Sequence, residues 1–209
     1  MTSDFGQFSA KWSELHGGAA ISGIVGYWLR ASYRLAKVMS KLQLTANSLT
    51  SLGLIFAAAT AIYSPHWLGA LFIALSLLCD GLDGPVAILQ GKASRMGAIY
   101  DAIADRLSEA LWMVALYRLG VGLAWVLTLG ALAAFQEYAR ARLGAAGFRQ
   151  IGVVTPSERP VRASLVFAAI VAWQFTFSNG WVLGITILAT LLQLVSFILV
   201  ISLARRSLK

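Results

Sequence analysis

The chain has 209 residues and a mass of 22.4 kDa, the size of one ordinary domain. Its composition excludes a soluble one: 58% of the residues are hydrophobic, only 12% are charged, and the mean hydropathy is +0.73, whereas an outside facing water needs far more polar surface. Seventeen Lys and Arg against nine Asp and Glu give a charge of +8, which suits either nucleic acid or a membrane, so the positions of the charges decide.

Taken in order, the first twenty residues include Asp4, Lys11, Glu14 and His16 and no apolar run, so no cleavable signal peptide is expected. Residues 26–41 mix Trp28, Leu29, Tyr33, Leu35 and Val38 with Arg30, Arg34, Lys37 and Lys41, the pattern of an amphipathic helix lying among lipid headgroups. Six stretches then approach the roughly 20 apolar residues that a spanning helix needs: 47–64, 67–89, 98–117, 119–140, 160–178 and 181–204. The joints Ser64-Pro65-His66, Leu119-Gly120 and Ser178-Asn179-Gly180 carry turn chemistry. The expectation is an all-α, polytopic membrane protein with six transmembrane helices: an interfacial segment at 1–46, a membrane domain at 47–204 and a tail at 205–209. With both termini on the cytoplasmic side of the cell membrane, the inner segments hold 15 of the 17 basic residues, from Lys11 to Arg149 and Lys209. Topology thus accounts for the charge, and nucleic acid is excluded as a partner. Cys79 is the only cysteine, so no intramolecular disulfide can form; His16 and His66 carry no chemistry; Trp67, Trp125 and Trp181 read as interfacial anchors.

Five of the nine acidic residues, Asp80, Asp83, Asp101, Asp105 and Glu109, fall within thirty residues on the second and third spans. Each costs about 2.5–3.5 kcal/mol at membrane depth on insertion scales, so together they require pairing, hydration or a bound cation. Asp80 and Asp83 share one helix face, Asp101 and Asp105 another, and the connection at 91–96 makes the two helices antiparallel neighbours. Converging carboxylates are hard oxygen ligands that select Mg²⁺ or Mn²⁺, and two such ions can clamp a phosphoryl group. A proton or cation relay and structural pairing, for which Arg106 is available, are the alternatives.

From Asp80 the chain reads DGLDGPVAILQGKASRMGAIYDAIAD. This resembles the CDP-alcohol phosphotransferase motif, Asp-x2-Asp-Gly-x2-Ala-Arg-x8-Gly-x3-Asp-x3-Asp. Asp80, Asp83, Gly84, Ala87, Gly97, Asp101 and Asp105 are in register; the eighth position, Arg in the family, is Ile88, and Pro85 stands inside the motif. The resemblance implies that Asp80, Asp83, Asp101 and Asp105 bind two Mg²⁺ or Mn²⁺ ions and that Asp105 is the general base. It also implies that Asn47, Thr50, Gly84, Ala87, Ser94 and Gly97 face CDP-diacylglycerol. For Gly84 and Gly97 tight helix packing is the competing explanation, and for Asn47 and Thr50 it is helix capping. With Ile88 in place of Arg, Lys92 or Arg95 is left to supply charge to the donor.

Tyr138, Ala141 and Arg142, followed by Glu158, Arg159, Pro160 and Arg162, resemble the pattern of actinobacterial phosphatidylinositol-phosphate synthases. By that likeness Arg140, Arg142, Arg159 and Arg162 would hold the phosphate of an acceptor alcohol, although positive-inside charge explains them nearly as well. The expected reaction moves a phosphatidyl group from CDP-diacylglycerol to a polar alcohol with release of CMP. Inositol phosphate is the favoured acceptor and glycerol phosphate the next. Membrane lipids and a second copy of the chain, as a homodimer, are the expected partners. A small cation or proton transporter and an inactive assembly protein are the readings from other classes.

Overall fold

A computed structural model describes residues 4–15, 18, 20–147 and 154–207; His16, Arg149 and Lys209 lie outside them. Among the described residues every regular element is a helix: α1 Phe5–Leu15, α2 Gly23–Lys41, α3 Ala46–Tyr63, α4 Trp67–Leu89, α5 Arg95–Arg118, α6 Leu123–Ala145, α7 Arg159–Thr176 and α8 Asn179–Ser207. The all-α expectation holds. Of these, α3, α4 and α8 are long and apolar enough to cross a membrane. The third, α8, exposes Leu188, Leu191, Leu194, Val195, Ile198 and Leu199, a surface suited to lipid rather than water.

Several boundaries differ from those read in the sequence, each for a local reason. The helix α1 lies in the segment expected to be interfacial, at residues where no helix is expected; it packs on α2, with Phe5 and Phe8 against the Tyr33 ring. At α5 the start moves from 98 to Arg95 because Ser94 caps it, its hydroxyl accepting the Gly97 N–H at 3.0 Å. At α6 it moves from 119 to Leu123, because Gly120 at φ +86° extends the turn, and the helix runs on past Arg140 to Ala145. Thr45 rather than Asn47 caps α3: its hydroxyl accepts the Ser48 N–H at 3.2 Å, and the Ser48 hydroxyl accepts the Thr45 N–H at 2.8 Å.

The chain divides into two units, Met1–Ile55 with Leu75–Asp105, and Phe56–Ala74 with Arg106–Lys209. In the first, α3 and α4 meet at Gly53, where an added Cβ would lie 3.3 Å from Cys79 Cβ and 3.4 Å from the Ser76 carbonyl oxygen. The Ser76 hydroxyl donates to the Gly53 carbonyl at 2.8 Å. At its C-terminal end α4 stops in a reciprocal cap: Gly91, at φ +65°, donates to the Ile88 carbonyl, and the Lys92 N–H donates to that of Ala87 at 2.9 Å. This sharp stop sets up the return into α5.

The second unit is built on α8, which packs against α6 and α7. Its apolar interior encloses a polar network. Gln193 donates to Gln136 at 2.7 Å, and both side chains are fully buried. Arg162, 2% exposed, donates to Glu109, to the Ser157 carbonyl and to Gln193, while Arg106 donates to Glu109 from the next turn of α5 at 2.7 Å. Breaking a buried pair leaves an uncompensated charge, whereas removing both partners does not. With Arg106 still meeting Glu109, Arg162→Met should lower unfolding stability by about 1–3 kcal/mol, and Arg162→Met with Glu109→Leu should recover part of it, as read from thermal unfolding in detergent.

Candidate active site

Three of the motif aspartates converge. Carboxylate oxygens of Asp80 on α4 and of Asp101 and Asp105 on α5 all lie within 4.8 Å of one another, each residue being half-buried. Like charges at that distance raise one another's energy, and a divalent cation among them relieves it. The donor set, three hard oxygens from two helices joined by one tight turn, fits Mg²⁺ or Mn²⁺.

Asp83 neighbours that trio but is engaged differently. It is 6% exposed, and its carboxylate accepts the Thr50 hydroxyl and the Gly84 N–H, both at 2.6 Å. Thr50, expected to face the nucleotide, thus engages a motif aspartate and positions it. Glu109 is engaged differently again, by Arg106 and Arg162.

At Gly84 an added Cβ would meet nothing within 4 Å, so helix packing does not explain this glycine; the backbone is open to close approach by a ligand. At Gly97 the nearest atoms would be the Ser94 hydroxyl oxygen at 3.1 Å and Asn47 Oδ1 at 3.9 Å, which brings three of the expected donor residues to one place. Asn47 is exposed there, and Ala87 is half-buried on the last turns of α4. Ile88 is 6% exposed and belongs to the core, while Lys92 and Arg95 are exposed.

The four arginines assigned to the acceptor have unlike surroundings. Arg162 is buried and held by Glu109. Arg140 grips Glu158 through two parallel bonds of 2.6 and 2.8 Å. Arg159 stacks on the buried Trp112, its guanidinium carbon 5.3 Å from the ring centroid. Arg142 is exposed. Sequence reasoning missed the partners: Glu109 lies 53 residues from Arg162, and Glu158, though inside the quoted pattern, gives no sign that it faces Arg140. The polar residues Gln136 and Gln193 inside apolar runs were the available signal for a buried network.

With this geometry in place, likeness to known proteins becomes specific. The CDP-alcohol phosphatidyltransferase family model matches residues 43–204. An archaetidylinositol phosphate synthase of Aeropyrum pernix is 31% identical over 150 residues, covering 68% of this chain and 76% of that protein. A phosphatidylinositol phosphate synthase of Mycolicibacterium smegmatis is 30% identical over 193 residues, covering 79% and 82%. The crystal structure of the Mycobacterium tuberculosis phosphatidylinositol phosphate synthase with CDP-DAG bound superposes with a TM-score of 0.66 at 26% identity, over 83% of this chain and 91% of that one. A second crystal structure of that enzyme, with manganese and citrate, gives a TM-score of 0.68 at 24% identity, over 80% and 85%.

The chain is a phospholipid-forming transferase of the divalent-metal class, to which its aspartate trio is suited. It belongs to the CDP-alcohol phosphatidyltransferase family.

The Arg140–Glu158 contact carries a pH signature. Burial alone would raise the Glu158 carboxyl, but the bonds from Arg140 and from the Thr155 N–H and hydroxyl outweigh it and hold the pKa down to about 2, against an ordinary 4.5. A depressed folded-state pKa stabilises the fold above the unfolded value, and that contribution fades as pH falls through the folded one. The stability difference between the wild type and Glu158→Gln should be constant above pH 4.5 and shrink between 4.5 and 2, as followed by chemical unfolding in micelles.

Proposed function

We propose that this protein transfers the phosphatidyl group of CDP-diacylglycerol to inositol phosphate, releasing CMP, at the cytoplasmic face of the cell membrane. The observation that carries the reading is the convergence of Asp80, Asp101 and Asp105 at motif positions within 4.8 Å. The relatives named as archaetidylinositol phosphate and phosphatidylinositol phosphate synthases support the acceptor. The fold would be six spans, α3 to α8, with α2 as the interfacial helix; α3, α4 and α8 are long and apolar enough to cross, α4 although it carries Asp80 and Asp83, and α5, α6 and α7 carry the other aspartates and the ion pairs. A homodimer within the lipid bilayer is part of this reading.

Asp80, Asp101 and Asp105 would hold the cations, with Asp83, steadied by Thr50, completing the set. Bound divalent ions supply Lewis-acid neutralisation of the donor pyrophosphate. Asp105 takes the proton of the acceptor hydroxyl as that oxygen bonds to the phosphorus bearing the diacylglycerol, and the bond from that phosphorus to CMP breaks. The open backbone at Gly84, with Asn47, Ala87, Ser94 and Gly97, receives the donor without the guanidinium that Ile88 replaces. Arg142 and Arg159, which form neither the Glu158 nor the Glu109 ion pair, would bind the acceptor phosphate. Arg140 and Arg162 support them from their ion pairs.

The test is CMP release by purified protein with CDP-diacylglycerol, Mg²⁺ and a panel of acceptors. Inositol phosphate should drive release and glycerol phosphate should do so weakly; Asp105→Asn should lower kcat by about 10²-fold or more. Release driven equally well by glycerol phosphate would overturn the acceptor, and undiminished release by the variant would overturn the base.

A further inference from the structure

The turn of α4 that carries Asp80 and Asp83 is the part of that helix least able to hold its own shape. Glycines at 81 and 84 weaken it. Pro85 offers no N–H to the Gly81 carbonyl one turn earlier, so the ladder is interrupted at Gly81 itself. The setting of this turn must come from its neighbours.

From one side α3 supplies it, through the close approach at Gly53 and the Thr50 bond to Asp83. On Gly81 the neighbour is α2. An added Cβ at Gly81 would lie 2.8 Å from Cζ2 and 3.3 Å from Cη2 of Trp28, so the indole edge rests directly on the glycine backbone. Only that edge is engaged: Trp28 is 48% exposed, and Tyr27 beside it is 78% exposed. Leu29, Ser32 and Ala36 bury the adjoining face of α2, Ser32 one turn from Trp28, and so fix where the indole sits.

We propose that Trp28 is a positioning residue for the metal centre, its indole edge on Gly81 fixing the turn of α4 that presents Asp80 to Asp101 and Asp105. This rests on the reading of those three aspartates as cation ligands and extends it to a residue outside the motif. Functional groups must be held within about 0.5 Å of productive geometry, and a helix interrupted at Gly81 has no internal means of doing so. The consequence is that α2, at the membrane surface, sets the cation affinity of a site to which it contributes no ligand.

The experiment measures Mn²⁺ binding to the full chain in lipid nanodiscs without substrate, from the paramagnetic resonance signal of the free ion, beside thermal unfolding and CMP release. Trp28→Ala should weaken Mn²⁺ binding about tenfold and raise the Mn²⁺ needed for turnover in parallel. Trp28→Phe should restore part of the loss, and Tyr27→Ala, on the same helix, should leave binding unchanged. Gly81→Ala should also weaken binding, yet cost little more when added to Trp28→Ala, because its Cβ then enters the space the indole has left. If Trp28→Ala does not fold, Trp28→Phe and Gly81→Ala carry the comparison. Lowered thermal stability with unchanged Mn²⁺ affinity would show Trp28 to be packing alone and sink the proposal, as would additive losses in the double variant. Absence of Mn²⁺ binding by the wild type would instead remove the metal reading, and this proposal with it.

Discussion

A carboxylate set among apolar residues has to be answered by positive charge, and the chain answers its acids in two different ways. Glu109 is met from within: Arg162 and Arg106 converge on it, and the remaining donors of Arg162 are taken by a backbone carbonyl and a glutamine. Asp80, Asp101 and Asp105 are brought within 4.8 Å of one another, an arrangement that favours a cation from outside the chain. One arrangement closes a core, and the other is suited to a metal ion. Carboxylates thus meet two different surroundings in the two units, and their partners distinguish them.

The helices were legible because apolar runs, turn residues and basic flanks repeat along the chain. Asp101 and Asp105 were legible because a spacing of four residues places them on one helix face. What the sequence hid was partnership over distance. Arg162 read as a phosphate ligand because its pattern, not its burial, is visible in one dimension; its bond to Glu109 spans 53 residues. Thr50 read as a nucleotide contact, and it holds Asp83 across 33 residues. The caps were misplaced for a smaller reason: Asn47 and Thr45 are both good N-cap residues, and only the reciprocal bonds with Ser48 select Thr45.

The departure at Ile88 gains a physical setting. The side chain is 6% exposed, buried on a different side of α4 from Leu82, Val86 and Leu89. A position that resembles a charged donor contact has become packing surface, worth about 1.5–3 kcal/mol for a fully buried aliphatic side chain. Nothing else in the motif has moved with it: the aspartates converge, the backbone at Gly84 stays open, and the cap at Gly91 still returns the chain into α5.

The ion pair on α5 also bears on how such a chain is made. Ribosomes deliver α5 before α7, so when Glu109 leaves the ribosome Arg162 has yet to be synthesised, and Gln193 follows later still. Arg106, one turn away on the same helix, is present from the moment that helix forms. The local pair is therefore available to the carboxylate first, and the distant guanidinium joins it afterwards, so that the order of synthesis and the order of neutralisation coincide.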